Sequence, residues 1–152
     1  MLISRNQKVI SYDLTRDDMS KAISDAFKSS KLILVSSTYN MDIFPYMNIF
    51  IHGLIERNYQ NRIVGFIENG SWMPNATKVM KNLLSNSKNL TYLNSEVRIL
   101  SSLDERSRKE LMLLVRTNFI LVANRSFRGG EGTISSAECF MQFASANCRS
   151  CA

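Results

Sequence analysis

Two short, uniformly apolar runs constrain the fold of this 152-residue chain more than any other feature. Residues 32–35 and 63–67 have the length and composition of strands that are buried on both faces. Each run breaks into small polar residues with one aromatic, and a helix-period pattern of apolar residues follows. Strands that alternate with helices in this way predict a parallel sheet with right-handed crossovers and helices on both faces.

The alternation of strand and helix begins near the amino terminus. Apolar and polar residues alternate in part over residues 9–14, as expected for an edge strand that is exposed on one face. Thr15 is expected to cap the helix that follows. Asp17 and Asp18 are expected in its first turn, where their negative charges face the positive end of the helix dipole. The predicted apolar stripe of this helix consists of Met19, Ala22, Ile23, Ala26 and Phe27.

Similar patterns predict three more helices and another extended segment. Pro45 is placed where a helix can begin without losing a hydrogen bond, and residues 76–84 carry the next apolar stripe. Residues 97–100 read as a strand, and Ser102 and Glu105 have the spacing of a capping box. The residues expected in the core are Leu32, Leu34, Ile63, Val64, Ile67, Val79, Leu83 and Leu111.

The composition is that of an ordinary soluble domain, with 45% hydrophobic and 21% charged residues. Its net charge of +6 is spread along the chain and interleaved with acids, whereas nucleic-acid binders concentrate charge in a patch. No apolar run approaches the roughly 18 residues of a membrane span, and the first eight residues are too short and polar for a signal peptide. We therefore expect a cytoplasmic protein that binds neither nucleic acid nor membrane.

The cysteines do not predict a metal site. They are confined to Cys139, Cys148 and Cys151, and the last two form a lone C-x-x-C pair. A structural zinc or iron site needs about four ligands, and the single histidine, His52, lies far away within an apolar helix pattern. We interpret these thiols as incidental.

Polar loops follow both buried strands, and ligands of open parallel sheets bind beyond the carboxyl ends of the strands. Two neighbouring loops that offer hydroxyls, amides and rings suit a flat, polar-edged aromatic cofactor such as a flavin. Taken singly, the same residues have simpler explanations as turn formers, helix caps or packing anchors. The candidate cofactor-binding residues are Ser37, Thr38, Tyr39 and Asn40 in the first loop, and Glu68, Asn69, Gly70, Ser71 and Trp72 in the second.

Four parts of the sequence carry a family resemblance: residues 12–19, residues 37–40 with 43–45, residues 56–62 and, most specifically, residues 64–74. Over about residues 9–115 the sequence resembles the flavodoxin-like domain of flavodiiron proteins (A-type flavoproteins), which binds flavin mononucleotide (FMN). The resemblance implies a three-layer α/β/α fold, FMN as cofactor and electron transfer within an oxidoreductase. It also implies a redox partner protein, such as a rubredoxin-like protein or a di-iron domain.

The resemblance further implies roles for individual residues. Ser37 and Thr38 would offer hydroxyl and backbone N–H groups to the ring edge and the ribityl chain. Tyr39 and Trp72 would form aromatic walls, and residues 69–71 would bring backbone close to the pyrimidine end, where Gly70 permits close approach. No acid, base or nucleophile is implied, because the flavin carries the chemistry.

Two departures from the family qualify these expectations. The family's first, central strand and its phosphate loop are absent before Val9, so the predicted sheet is truncated with an empty central slot. A single histidine also cannot build a di-iron site. The alternative function is therefore a non-catalytic remnant, or a subunit that needs another chain to complete its sheet. Open strand edges invite such pairing, and a second copy forming a homodimer is one candidate.

The segment 119–152 does not match the family. We predict a partial domain over residues 1–118 and a divergent, poorly ordered appendage after it. The alternative is that residues 119–123 form a strand, residues 125–133 a Gly-rich loop and residues 134–146 a helix. These would replace the absent first unit, with Arg125 and Arg128 able to bind a phosphate.

Overall fold

A computed structural model of the protein describes residues 10–70, 73–94, 96–100, 104–114 and 120–123. Within these ranges the chain is a flavodoxin-like α/β domain. Its strands are β1 (Ile10–Asp13), β2 (Lys31–Tyr39), β3 (Asp42–Ile43), β4 (Ile63–Asn69), β5 (Thr91–Tyr92), β6 (Val97–Ile99) and β7 (Ile120–Ala123). Its helices are α1 (Met19–Lys28), α2 (Pro45–Glu56), α3 (Ala76–Leu84) and α4 (Glu105–Leu114).

The sheet has the order β1-β7-β2-β4-β5, and all of these neighbours are parallel. β6 continues the edge beside the carboxyl half of β4, and β3 folds back antiparallel on β2. From β1 to β5 the chain advances across the sheet in one direction, so right-handed crossovers place α1, α2 and α3 on one face. The connection from β6 back to β7 runs in the opposite direction, and α4 therefore lies on the other face.

Side chains of the two central strands alternate between the faces. Leu34 and Phe66 pack into the larger core under α1, α2 and α3, whereas Ile33 and Ile67 are buried on the opposite face. The prediction of the core is confirmed for the fully buried residues Leu32, Leu34, Val64, Ile67 and Leu111. The other predicted core residues, Ile63, Val79 and Leu83, are partly buried.

The central slot is filled, which corrects the predicted truncation of the sheet. β7 lies between β1 and β2, with Ile120 paired to Ile10 on one side and to Leu32 on the other. An apolar strand in this position satisfies backbone groups that would otherwise be unpaired on both of its neighbours. The predicted boundary at residue 118 is therefore wrong for residues 120–123, and residues 124–152 lie outside the described ranges.

The start of α1 also differs from its prediction. The helix begins at Met19, and its N-cap is Asp18, whose carboxylate accepts a hydrogen bond from the Lys21 N–H at 2.7 Å. Thr15 instead donates its hydroxyl hydrogen to the Asp13 carboxylate, at 2.7 Å. Because the Asp13 side chain organises the turn after β1, the helix is delayed by one turn of chain.

The residues at the starts of α2 and α4 explain where these helices begin. α2 begins at Pro45, as predicted. α4 begins at Glu105, and the Asp104 carboxylate accepts from the Ser107 N–H at 2.7 Å. Asp104 is thus the capping residue, whereas Ser102 of the predicted capping box lies outside the described residues. No helix in the described part of the chain is long and apolar enough to cross a membrane.

Candidate functional site

The candidate site lies at the carboxyl edge of the sheet, where β2, β4 and β7 end side by side. Ser37 is the register partner of Asn69, and Ser36 is the partner of Glu68. β7 ends at Ala123, next to Val35. The two loops that the sequence singled out are therefore neighbours, at the edge where open α/β sheets bind ligands.

Strand periodicity divides the polar residues at this edge into two sets. Thr38 and Glu68 face the layer that contains α3, because they continue the alternation of Leu34 and Phe66. Ser37 and Asn69 face the opposite side, on which Ile33 and Ile67 are buried outside that core. The two sets have different hydrogen-bonding partners.

Glu68 is bound to the start of α3. One carboxylate oxygen accepts from the Thr77 N–H at 2.9 Å, and the other accepts from Arg98 Nε at 2.5 Å. The Glu68 side chain is only 3% exposed, whereas the Arg98 side chain is 56% exposed. A buried carboxylate is stable here because it is paired and lies at the positive end of a helix. Its side chain caps α3, and contact with a cofactor stays a prediction.

Thr38 caps the same helix from the neighbouring strand. Its hydroxyl oxygen accepts from the N–H groups of Asn75, at 2.9 Å, and Ala76, at 3.2 Å. Asn75 is the N-cap residue but makes no side-chain cap of its own. Its amide donates instead to the Met41 carbonyl, at 2.9 Å, so the loop before α3 is tied to the turn after β2.

The turn after β2 is a two-residue hairpin. Asn40 and Met41 both have positive φ, at 49° and 64°, as a primed hairpin turn requires. The presence of asparagine at position 40 is therefore explained by the turn, since asparagine tolerates a positive φ. Tyr39 is 56% exposed, and its ring meets Phe44 edge to face at a centroid distance of 6.0 Å. The hairpin thus presents an aromatic ring at the rim of the sheet edge.

Gly70 closes the second loop against the first. Its N–H donates to the Ile99 carbonyl at 3.2 Å, and its φ lies outside the left-handed range. A methyl group at this position would lie 3.4 Å from the Thr38 hydroxyl and 3.4 Å from Pro74 Cα, at the limit of ordinary contact. Thr38 and Pro74 are thus the close neighbours of Gly70, and its approach to a cofactor stays a prediction. Ser71 and Trp72 lie outside the described residues.

Ser37 and Asn69 contrast with these paired groups. The Ser37 hydroxyl oxygen and the Asn69 amide oxygen are buried, and neither has a hydrogen-bond partner within the described residues. Asn69 is only 7% exposed. Register partners on adjacent strands are about 5 Å apart, so the two polar groups are adjacent. An unsatisfied buried polar group costs roughly 1–3 kcal/mol, which a bound hydrogen-bonding ligand would offset.

A charged cavity of about 270 Å³ adjoins Glu68 on the side of β6 and α4. Its charged groups already have partners within the protein. Arg98 pairs with Glu68, Arg106 with Glu110 and Glu96 with Lys81, and Asp104 accepts a hydrogen bond from the Ser107 N–H. Within the described ranges, no three His, Cys, Asp or Glu side chains are grouped to hold a metal ion. Arg98 and Asn75 also support this edge, although neither was predicted from the sequence. The one available signal for Arg98 was a cationic residue in the predicted strand that follows the strand of Glu68.

Comparison with known proteins identifies a class of fold. No family model and no curated protein matches the sequence. Among solved structures, the rubredoxin oxygen:oxidoreductase of the anaerobe Desulfovibrio gigas is similar, with a TM-score of 0.56 and 18% sequence identity. The match covers 74% of this chain and 35% of that chain, so this chain spans about a third of the neighbour's length. The likeness shows the flavodoxin-like fold.

Proposed function

We propose that the chain is an FMN-binding electron-transfer domain of an oxidoreductase. The observation that carries the proposal is the adjacent pair of buried, unpartnered polar groups on Ser37 and Asn69. They lie at the sheet edge where this fold binds its ligands. The structural neighbour is named as an oxidoreductase acting on rubredoxin and oxygen, which agrees with the resemblance of the sequence to flavodiiron FMN domains.

In this proposal the chain's residues hold and orient the flavin, which itself supplies the electron-transfer chemistry. Ser37 and Asn69 form hydrogen bonds with the edge of the ring, and Tyr39 contributes an aromatic face at the rim. Thr38 and Glu68 act indirectly, because they fix α3 and the loop that precedes it. Ser71 and Trp72 are proposed as further cofactor-binding residues, on the resemblance of the sequence alone.

The phosphate of FMN needs a separate group of donors. The chain leaves β7 at Ala123, next to Val35, and therefore starts its next segment at the same edge as Ser37. Arg125 and Arg128 follow within five residues of Ala123 in the sequence. We propose them, with the glycines that come after, as the phosphate-binding residues.

The electron partner is proposed to be a separate protein, either rubredoxin-like or carrying a di-iron site. A net charge of +6 favours association with an acidic partner. The alternative, a remnant that needs another chain to complete its sheet, was motivated by an empty central slot. β7 occupies that slot, so no observation favours the alternative over FMN binding.

A direct titration tests the proposal. The purified full-length chain is mixed with FMN, and bound flavin is followed by retention on a desalting column and by the change in flavin fluorescence. We expect stoichiometric retention, weakened by Trp72→Ala, with Tyr46→Ala as a matched exposed-aromatic control. If excess FMN gives neither retention nor a fluorescence change, the proposed function is wrong.

A further inference from the structure

A groove between α1 and the end of α2 contains none of the candidate cofactor-binding residues. Its volume is about 450 Å³, which is within the range of small-molecule pockets in proteins. The residues that line it are Ser20, Ile23, Ser24, Phe27, Lys28 and Arg57. We infer that this groove binds an amphiphilic anion, namely a carboxylate with a linear alkyl chain of medium length.

The apolar part of the groove is preformed. All its lining residues except Arg57 come from α1, with the spacing of one helix face. They extend over about 12 Å of the helix axis, at 1.5 Å per residue. The ring of Phe27 is fixed by Tyr59, which it meets edge to face at a centroid distance of 5.2 Å. A methyl group on Gly53 would lie only 2.7 Å from Ile23 Cδ1, so α1 and α2 are in close contact beside the groove.

Lys28 provides a positioned cation at one end of the groove. Its ammonium group lies 2.8 Å from the Asp25 carboxylate, and its side chain is 70% exposed. Asp25 is itself mostly buried and also accepts a hydrogen bond from the Tyr12 hydroxyl. Because an ammonium group has three N–H donors, Lys28 can bind a second anion while it stays paired with Asp25.

Arg57, the residue after α2, provides the second cation. Its Nη1 donates to the Gly53 carbonyl at 2.9 Å, which holds the side chain against α2. Its ion-pair partner Glu56 is highly exposed and lies 3.9 Å from Nη1, a weak contact. A guanidinium has five N–H donors, so most of them can be used by a ligand.

These groups together select a ligand that is both apolar and anionic. The described lining residues supply two cations, two hydroxyls and no carboxylate. A ligand carboxylate at the end with Lys28 and Arg57 would form charge-assisted hydrogen bonds, and its alkyl chain would cover Ile23 and Phe27. An inorganic anion would gain only the first contribution, and an uncharged alkane only the second.

Isothermal titration calorimetry with octanoate, kept below its critical micelle concentration, tests the inference on the full-length protein. 1-Octanol is the matched ligand, because it has the same chain length and no charge. We expect octanoate to bind the wild-type protein about tenfold more tightly than 1-octanol. Lys28→Gln and Arg57→Gln should each weaken octanoate binding by about three- to fivefold and leave 1-octanol binding unchanged.

Two further variants localise the binding. Lys78→Gln removes an exposed cation from α3 and is the matched control, which should bind octanoate as tightly as wild type. Ser24→Phe fills the groove from an exposed position on α1 and should abolish binding of both ligands.

The inference is independent of the proposed function, because the groove contains no candidate flavin ligand. Absence of octanoate binding, or equal affinities of octanoate and 1-octanol for the wild-type protein, would overturn it. Octanoate binding that resists all three groove substitutions, or that excess FMN displaces, would place the ligand elsewhere and would also overturn it. Binding to phosphatidylglycerol vesicles without binding of monomeric octanoate would show that this surface recognises a membrane instead, and the inference would again be wrong.

Discussion

Four polar residues at one edge of the sheet form two sets with opposite properties. Thr38 and Glu68 face α3, and each side chain accepts two hydrogen bonds, four in all. Ser37 and Asn69, one residue away on the same strands, have side-chain oxygens with no hydrogen-bond partner in the described part of the chain. A shift of one position along a strand thus separates groups that cap a helix from groups that the described residues leave unpartnered.

The difference teaches that loop chemistry alone does not define a binding site in this fold. All four residues belong to the two polar loops recognised in the sequence. Those that face α3 are required by its exposed amino-terminal N–H groups. On the opposite face, the oxygens of Ser37 and Asn69 have no hydrogen-bond partner among the described residues, and we propose that a ligand supplies one.

Removal of β7 should produce the largest effect, because it breaks the sheet that supports both sets. A chain truncated after Asn118 loses a strand paired on both sides and the buried Val122 side chain. We expect it to be unfolded at 25 °C by near-ultraviolet circular dichroism and to bind no flavin. A chain truncated after Ala123 is the control and should retain cooperative unfolding. Equal melting of the Asn118-truncated and full-length chains would contradict the observed topology.

Loss of Glu68 should have the next largest effect. Glu68→Ala removes a buried acceptor of the Thr77 N–H and the partner of Arg98. We expect the free energy of unfolding to fall by about 2–3 kcal/mol in urea denaturation. Glu96→Ala is the matched control, since Glu96 pairs with Lys81 at an exposed position and should cost less than about 1 kcal/mol. Equal effects of the two substitutions would show that Glu68 does not support α3.

Thr38 should contribute less, because its hydroxyl is uncharged. Thr38→Val keeps the side-chain shape but removes the acceptor for the Asn75 and Ala76 N–H groups. We expect a loss of about 1 kcal/mol, as for other helix caps. Thr38→Ser, which retains the hydroxyl, should recover most of it. If the Thr38→Val protein is as stable as wild type, the Thr38 hydroxyl does not stabilise the start of α3.

Tyr59 tests whether any unpartnered buried group behaves like Ser37 and Asn69. Its hydroxyl is buried without a partner, but it lies between α2 and β4, at the amino edge of the sheet. Tyr59→Phe should therefore raise stability at pH 7 by up to about 1 kcal/mol and leave flavin affinity unchanged. A change in affinity would show that the two ends of the sheet are coupled.

The same residue predicts a pH dependence. Burial raises the pKa of Tyr59 from 10.0 to about 12. Because the folded state holds this proton more tightly, the stabilisation is complete below pH 10 and is lost as the pH rises towards 12. Tyr59→Phe should lessen the fall in stability between pH 10 and 12, measured by urea denaturation at each pH. An unchanged slope would contradict the assigned shift.

Much of the fold could be predicted because burial and periodicity are local properties. β2 and β4 are recognisable as apolar runs, and α2 as a stripe that starts at Pro45. The start of α1 could not be predicted as well, since Asp13 and Asp18 compete with Thr15 for nearby N–H groups. The apolar run at residues 119–123 allowed a strand in the vacant slot as the alternative. The choice between that strand and an appendage depends on pairing with β1 and β2, which are distant in sequence.

The candidate site was predictable only in part. The polar loops could be found from composition, and their juxtaposition follows from the parallel sheet. Which of the polar side chains form hydrogen bonds within the protein depends on where α3 begins and how it packs on the sheet. This is a property of the tertiary structure. The prediction from the sequence therefore placed Glu68 and Asn69 in the same candidate site, although their side chains face opposite sides of the sheet.

The most direct test of this account measures stability and FMN affinity together in the double variant Ser37→Ala, Asn69→Ala. We expect its free energy of unfolding without ligand to stay within about 1 kcal/mol of wild type, because the two oxygens that it removes have no hydrogen-bond partner among the described residues. Its FMN affinity should fall by at least about tenfold, and the stabilisation by saturating FMN should shrink accordingly. A double variant that binds FMN as tightly as wild type would contradict the assignment of these two residues to the ligand.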